Sequence, residues 1–185
     1  MCMQLTDWEK AVQFHGHSCP GLAIGFKAVE AAKEKMGIHF STDEEIVCVT
    51  ENDACGIDAV QVLTGCSIGK GNLIYRGTGK MAFSFFNRKN GESLRIILKP
   101  FKTEMDREDR KKYLLNAPVD DIFDYMKPAF ALPDTARLFA SVVCEACGES
   151  APEYKMRLQE GKIVCLDCFK EYGRGWQLRS KGWKI

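Results

Sequence analysis

At 185 residues, 45% apolar, 28% charged and with a formal net charge of +1, the chain has the make-up of an ordinary globular protein. Its near-neutral balance excludes a global pull toward nucleic acid or acidic membranes, which leaves only local patches for such binding. The sequence shows no apolar run near the roughly 20 residues that cross a bilayer, and MCMQLTDWEK has no basic segment followed by an apolar stretch, so a cytoplasmic protein is expected.

Thr6-Asp7-Trp8-Glu9 has capping-box form, which predicts a short helix from about residue 7 to Phe14, ended by Gly16. Ser18 is the expected N-cap of a second helix, with Pro20 in its first turn and Gly37 as its C-cap. The Ala and Gly residues of that helix permit close packing. Glu45 to Thr50 is β-branched and reads as a strand, and Cys55 to Leu63 as a helix entered from it. A Gly-rich loop follows over Thr64 to Asn72. Leu73–Arg76, Met81–Asn87 and Ser93–Leu98 are strand candidates, with Asn90-Gly91 as a hairpin turn between the last two. Glu104 to Leu115 predicts a charged helix, and Asp120-Asp121 starts another that reaches about Met126. The expected fold class is α+β, with helices packed on one mostly antiparallel sheet over residues 1–140 and a small four-cysteine domain over 141–185.

That last domain rests on spacing. Nine cysteines are many for a chain in a reducing compartment, and four of them form Cys144-x-x-Cys147 and Cys165-x-x-Cys168, 17 residues apart. Four thiolates close a tetrahedral shell around zinc with no position left for water, so this metal is expected to be structural. Glu160-Gly161 predicts a small hairpin between the pairs, and Phe169 to Tyr172 a short helix after them, the arrangement of a treble-clef finger. The tail from Gly173 to Ile185 alternates basic residues with Trp176 and Trp183. Docking of these rings on a neighbouring surface is the favoured reading, ahead of nucleic-acid contact.

A second concentration of ligand-type side chains lies in the larger domain. His15, His17 and Cys19 sit at the junction of the first two helices, and Asp53, Cys55 and Asp58 where the first strand gives way to a helix. Imidazole and thiolate suit zinc, nickel or iron, and a carboxylate can complete or orient the shell. Cys19 sits beside a helix N-terminus, which favours a reactive thiolate. Each residue also has a plainer reading, as a buried small apolar group or a capping hydrogen-bonder. Cys66, Lys70 and Asn72 belong to the Gly-rich loop, which lacks the phosphate-loop pattern; it reads either as a generic anion nest or as a turn that brings Cys66 and Lys70 to the His/Cys cluster.

"FHGHSCPGLAIGFKA" (Phe14 to Ala28), "DACGIDAVQVLTGCSIGKGNL" (Asp53 to Leu73) and the four-cysteine finger together resemble the FmdE family, whose name derives from molybdenum formylmethanofuran dehydrogenase. The resemblance implies an α+β core, commonly dimeric, followed by a treble-clef zinc finger. It also implies that His15, His17, Cys19, Cys55 and Asp58 line one pocket able to hold a metal. The molybdenum or tungsten pterin centre of the named reaction belongs to other proteins of that complex, and many members are stand-alone proteins of anaerobes.

The resulting expectation is a metal-handling protein, with or without an activity of its own. His15, His17 and Cys55 would hold a core metal, Cys19 and Asp58 would serve as nucleophile or acid/base, and Lys70 and Asn72 would hold a small substrate or pterin-type cofactor. The alternative is an accessory or regulatory module whose finger engages a redox-enzyme partner or nucleic acid. A homodimer is expected, molybdenum or tungsten enzyme subunits are the candidate partners, and no membrane is involved.

Overall fold

The computed structural model describes residues 4–101 and 104–172. The tail with Trp176 and Trp183 lies outside them. The chain divides into two compact units, Met1–Ala136 and Arg137–Ile185.

In the first unit, helix α1 (Asp7–His15) carries the capping box on Thr6 and Glu9, and Gly16 ends it at φ 88°. Helix α2 (Pro20–Met36) ends on Gly37 in the left-handed conformation. Its N-cap is Cys19 rather than Ser18: Pro20 occupies the first helical position, so the residue before it becomes the cap, and the Cys19 sulfur accepts the Leu22 N–H at 3.3 Å. Strand β1 (Ile46–Thr50) leads into helix α3 (Gly56–Thr64) and then strand β2 (Leu73–Tyr75), which runs parallel to β1. Strands β3 (Ala82–Asn87) and β4 (Ser93–Leu98) complete an antiparallel hairpin through Gly91, at φ 74°.

Helix α4 (Arg107–Asn116) starts later than predicted, from an Asp106 side-chain cap. The helix predicted from Asp120 to Met126 is a single turn, α5 (Val119–Ile122), followed by a strand, β5 (Phe123–Met126). Long-range pairing decides the difference. Phe123 to Met126 alternate inward and outward against Leu98 to Arg95 of β4, and Phe123 is 1% exposed.

The sheet order is β2-β1-β3-β4-β5, mostly antiparallel as expected. Ile46, Cys48, Phe83, Phe85 and Ile96 belong to the core shared with the helices, while Val47, Val49 and Phe86 pack with Ile74, Phe130 and Leu132 in a separate cluster. The alternation of β1 and β3 therefore feeds two apolar layers on opposite faces. Gly25 of α2 and Gly56 of α3 meet backbone to backbone, so close that a Cβ on Gly25 would fall 2.0 Å from the Gly56 carbonyl oxygen.

The described residues of the second unit form two hairpins, β6 (Ser141–Val143) with β7 (Ser150–Pro152) and β8 (Arg157–Gln159) with β9 (Lys162–Val164), joined through a 3-10 turn at Glu153–Lys155. Glu160 and Gly161 both take positive φ, 52° and 77°, as a two-residue hairpin turn of this type requires. The predicted helix over residues 169–172 is not formed. The Gln159 side-chain amide accepts the Lys170 N–H at 3.0 Å and donates to the Lys170 carbonyl at 2.7 Å, which withdraws both groups from any helical ladder.

Candidate functional site

In the second unit the sulfurs of Cys144, Cys147, Cys165 and Cys168 all lie within 4.8 Å of one another, with Cys147 and Cys165 at 3.9 Å. A tetrahedron with Zn–S bonds of about 2.3 Å has edges of about 3.8 Å, so the set fits zinc. The Cys165 N–H donates to the Cys144 sulfur at 3.3 Å. Backbone N–H groups of Cys165 and Cys147 pull the Cys144 thiol down to about 6, whereas its hydrogen bonding to Cys165 and Cys147 pushes Cys168 up to about 12. These amides favour the thiolate form that a metal needs. Among the described residues of this unit, only Cys144, Val164 and Cys165 are buried together, with Met156, Cys168 and Phe169 packed on them.

In the first unit, the end of α1, the start of α2 and the start of α3 bring His15, Cys19, Cys55 and Asp58 together. His15 is the last residue of α1, and its Nδ1 lies 2.7 Å from Asp58 Oδ2 in the first turn of α3. The other ring nitrogen, Nε2, faces the Cys19 sulfur at 3.8 Å. Ligand atoms of His15, His17 and Cys19 lie within 4.8 Å of one another, and the two imidazole centroids are 4.4 Å apart. Cys19 is buried and His17 exposed, so the cluster opens to solvent on the His17 side.

Cys55 occupies the N-cap position of α3 without capping it. Burial pushes its thiol up, reinforced by the neighbouring Cys19 thiol and by the Asp58 charge. Cys19 and Cys55 are both free thiols. Cys55 is thus a neighbour of the His15/His17/Cys19 set rather than one of the three that converge. Asp58 accepts from Gln61 Nε2 at 3.3 Å on its other oxygen, so both carboxylate oxygens are engaged.

The Gly-rich loop does not join this cluster. It leaves the opposite end of α3, a helix whose nine residues span about 13 Å. Lys70 donates to the carbonyls of Ser41 and Thr42, at 2.9 and 3.4 Å. Asn72 is fully buried, with its amide donating to Asp43 and Ile46 carbonyls and its oxygen accepting the Ser67 N–H. The ligand-holding role expected of Lys70 and Asn72 gives way to fastening the loop, because their polar groups meet backbone. Cys66 is buried, its S–H directed at the Ile46 carbonyl at 3.4 Å, and burial pushes its thiol up. Asp53 is exposed and stands apart from the hydrogen bonds of the cluster.

The family resemblance placed His15 and Asp58 in one pocket, but nothing in the sequence showed that the two are hydrogen-bonded to each other. Forty-three positions separate the two residues, and no local pattern links them. Sequence reasoning passed over the segment Arg76-Gly-Thr-Gly-Lys80, whose glycines flanked by cations were the available signal.

Residues 14–124 match the family model described as FmdE, molybdenum formylmethanofuran dehydrogenase operon, and residues 137–173 match the prokaryotic DksA/TraR C4-type zinc finger. A curated protein of Archaeoglobus fulgidus, described as a probable S-adenosyl-L-methionine-binding protein, is 30% identical over 206 residues, which cover 90% of this chain and 54% of that protein. The chain therefore spans about half the length of that relative. Among solved structures, an FmdE-like protein from Syntrophus aciditrophicus, named for tungsten formylmethanofuran dehydrogenase, superposes with a TM-score of 0.65 at 26% identity, over 86% of this chain and 88% of that one.

Proposed function

Because the chain belongs to the FmdE family and carries a four-cysteine zinc finger, we propose that its first unit is a metal-binding centre for a small substrate or pterin-type cofactor. His15, His17 and Cys19 would hold a divalent transition metal, zinc, nickel or iron, with Cys55 as the adjoining thiol. One observation carries this reading: the relay from Asp58 through His15 to Cys19, at 2.7 and 3.8 Å. A carboxylate on one imidazole nitrogen fixes the tautomer and presents the other nitrogen as a donor, the usual arrangement behind a metal-bound histidine.

Three protein ligands leave a coordination position at which a bound metal supplies Lewis acidity to an oxygen or sulfur of the ligand. The chain's own groups then have distinct duties. Asp58 acts through His15 as a positioning residue rather than as an acid or base. Cys19 offers its sulfur as ligand while its position as the α2 N-cap holds it in place. The exposed His17 lies at the mouth. The name of the Archaeoglobus relative makes S-adenosylmethionine one small molecule to titrate.

Metal analysis of the full chain tests this. Wild type should carry two metals per chain, falling to one in the His17→Ala/Cys19→Ser variant. One metal per chain in wild type, held by the finger alone, would sink the reading. Asp58→Asn should weaken cobalt binding at the core about 10- to 100-fold while the finger keeps its zinc, since only the orienting carboxylate changes. An unchanged affinity would remove Asp58 from the site.

The second reading is an accessory module, paired as a homodimer or with molybdenum or tungsten enzyme subunits. The finger supports it by exposing Val143, Leu158, Leu166 and Tyr172, apolar surface that a partner could cover.

A further inference from the structure

A second cluster of charge lies at the C-terminal ends of β1 and β2. Glu51, Arg76, Thr78, Lys80, Arg95 and Lys127 line a cavity of about 290 Å³ there, beside Phe130. Glu51 continues the Val47 and Val49 face of β1, and Arg95 alternates with the inward Leu94 and Ile96 of β4. The cavity therefore opens on the sheet face away from α2 and α3, and is separate from the His/Cys centre.

Four cations here face one carboxylate. Arg95, with a side chain only 10% exposed, donates through Nε to Glu51 at 2.6 Å. Among the described residues its Nη1 meets only the Met126 thioether at 3.2 Å, a weak acceptor. The second Glu51 oxygen accepts the Thr78 hydroxyl at 2.8 Å, so Glu51 is fully engaged. Among the described residues, Arg76, Lys80 and Lys127 form no ion pair, and Arg76 lies with its guanidinium 4.7 Å from the Phe130 ring centre. The loop carrying two of these cations is pinned at both ends, by Arg76 N–H on the Thr50 carbonyl and Gly79 N–H on the Glu51 carbonyl, each at 2.8 Å. Ser84, the cross-strand neighbour of Arg95, is fully buried and its hydroxyl has no partner among the described residues.

Scattered surface lysines are ordinarily just solvated. Here a pinned loop and a buried Arg concentrate three uncompensated charges around one concavity, at the ends of a parallel strand pair where α/β crossovers collect ligands. We propose that this cavity binds the multiply charged oxyanion group of a small molecule, phosphate or carboxylate, through Arg76, Lys80, Arg95 and Lys127. Guanidinium forks match either oxyanion, and the lysines add point charge.

Calorimetric titration of the full chain with inorganic phosphate, and separately with tricarballylate, at about 50 mM salt so that screening stays weak, tests it. A dissociation constant near or below about 1 mM for either anion is expected, and the one that binds identifies the source. Arg76→Gln/Lys127→Gln changes two exposed side chains and should weaken binding about tenfold. Lys89→Gln/Lys112→Gln removes the same charge elsewhere and should leave it within threefold. Absence of binding by both anions, a loss under threefold in the cavity variant, or an equal loss in the control variant each overturns the proposal. Such a failure leaves the His/Cys metal reading untouched, since that is measured by metal content.

Discussion

Cys165→Ser should release the finger's zinc and unfold the residues around it. The expected readout is a fall of one zinc per chain, with the amide signals of residues 137–172 collapsing toward random-coil positions while those of 4–101 stay dispersed. The reason is the size of the competing terms. Structural zinc in small fingers contributes about 10–16 kcal/mol of binding free energy, which is also folding free energy. Among the described residues, the apolar alternative is a cluster of Cys144, Val164 and Cys165, two of which are themselves ligands. A buried Val is worth about 1.5–3 kcal/mol, far too little to order a unit of this length unaided. Serine keeps the volume but supplies a poor zinc ligand, so the metal is the variable being tested. A variant that kept its dispersed spectrum without zinc would show that the two hairpins fold on their own.

The second large effect is expected at Gly25→Ala. A Cβ there would lie 2.0 Å from the Gly56 oxygen, 2.4 Å from its Cα and 2.5 Å from its carbonyl carbon. All three atoms are backbone, so no rotamer change relieves the overlap; α2 and α3 must move apart. Overpacking a core usually costs about 1–3 kcal/mol when side chains can adjust, and this case should exceed about 3 kcal/mol. The control is Gly69→Ala, where an added Cβ meets nothing within 4 Å and the backbone is not left-handed. Urea unfolding should show a large drop in midpoint for the first and almost none for the second. Equal midpoints would mean that the two helices have slack between them. The same displacement would draw Cys19, the cap of α2, away from His15, which Asp58 of α3 holds, so cobalt binding at the core should fall with stability.

Gly21 makes the link between packing and site more local. Its Cβ would sit 3.2 Å from the Cys55 Cβ and 3.5 Å from the Cys55 sulfur. The small residues of α2 therefore bring a second helix near enough for thiols from two helices to share one space. The Ala- and Gly-rich composition of this helix was visible from the start, and it read only as a licence for close packing. What it packs against, and that the contact aligns a metal-type cluster, required the fold.

Local chemistry determined much of this protein in the sequence. Thr6 with Glu9, Gly16, Gly37 and the Glu160-Gly161 turn act within a few residues, so helix ends and hairpins could be read directly. The finger was legible because both C-x-x-C pairs fix their own sulfurs in tight turns, and only one distance between pairs had to be satisfied. Tertiary structure decided whatever depends on partners far along the chain. Phe123 to Met126 became a strand because β4 offered an unpaired edge, and Cys19 became a cap because Pro20 took the first helical position. Residues 169–172 lost their helix to the Gln159 amide. Lys70 and Asn72 were turned to backbone carbonyls at the far end of α3, while Asp58 was turned to His15. Residue type gave the ligand chemistry of His15, His17, Cys19 and Cys55, and nearness in sequence already grouped the first three, whose ligand atoms lie within 4.8 Å of one another. Bringing Cys55 and Asp58 to them is set by the approach of α2 to α3, where Gly25 and Gly56 meet backbone to backbone and leave no room for a Cβ.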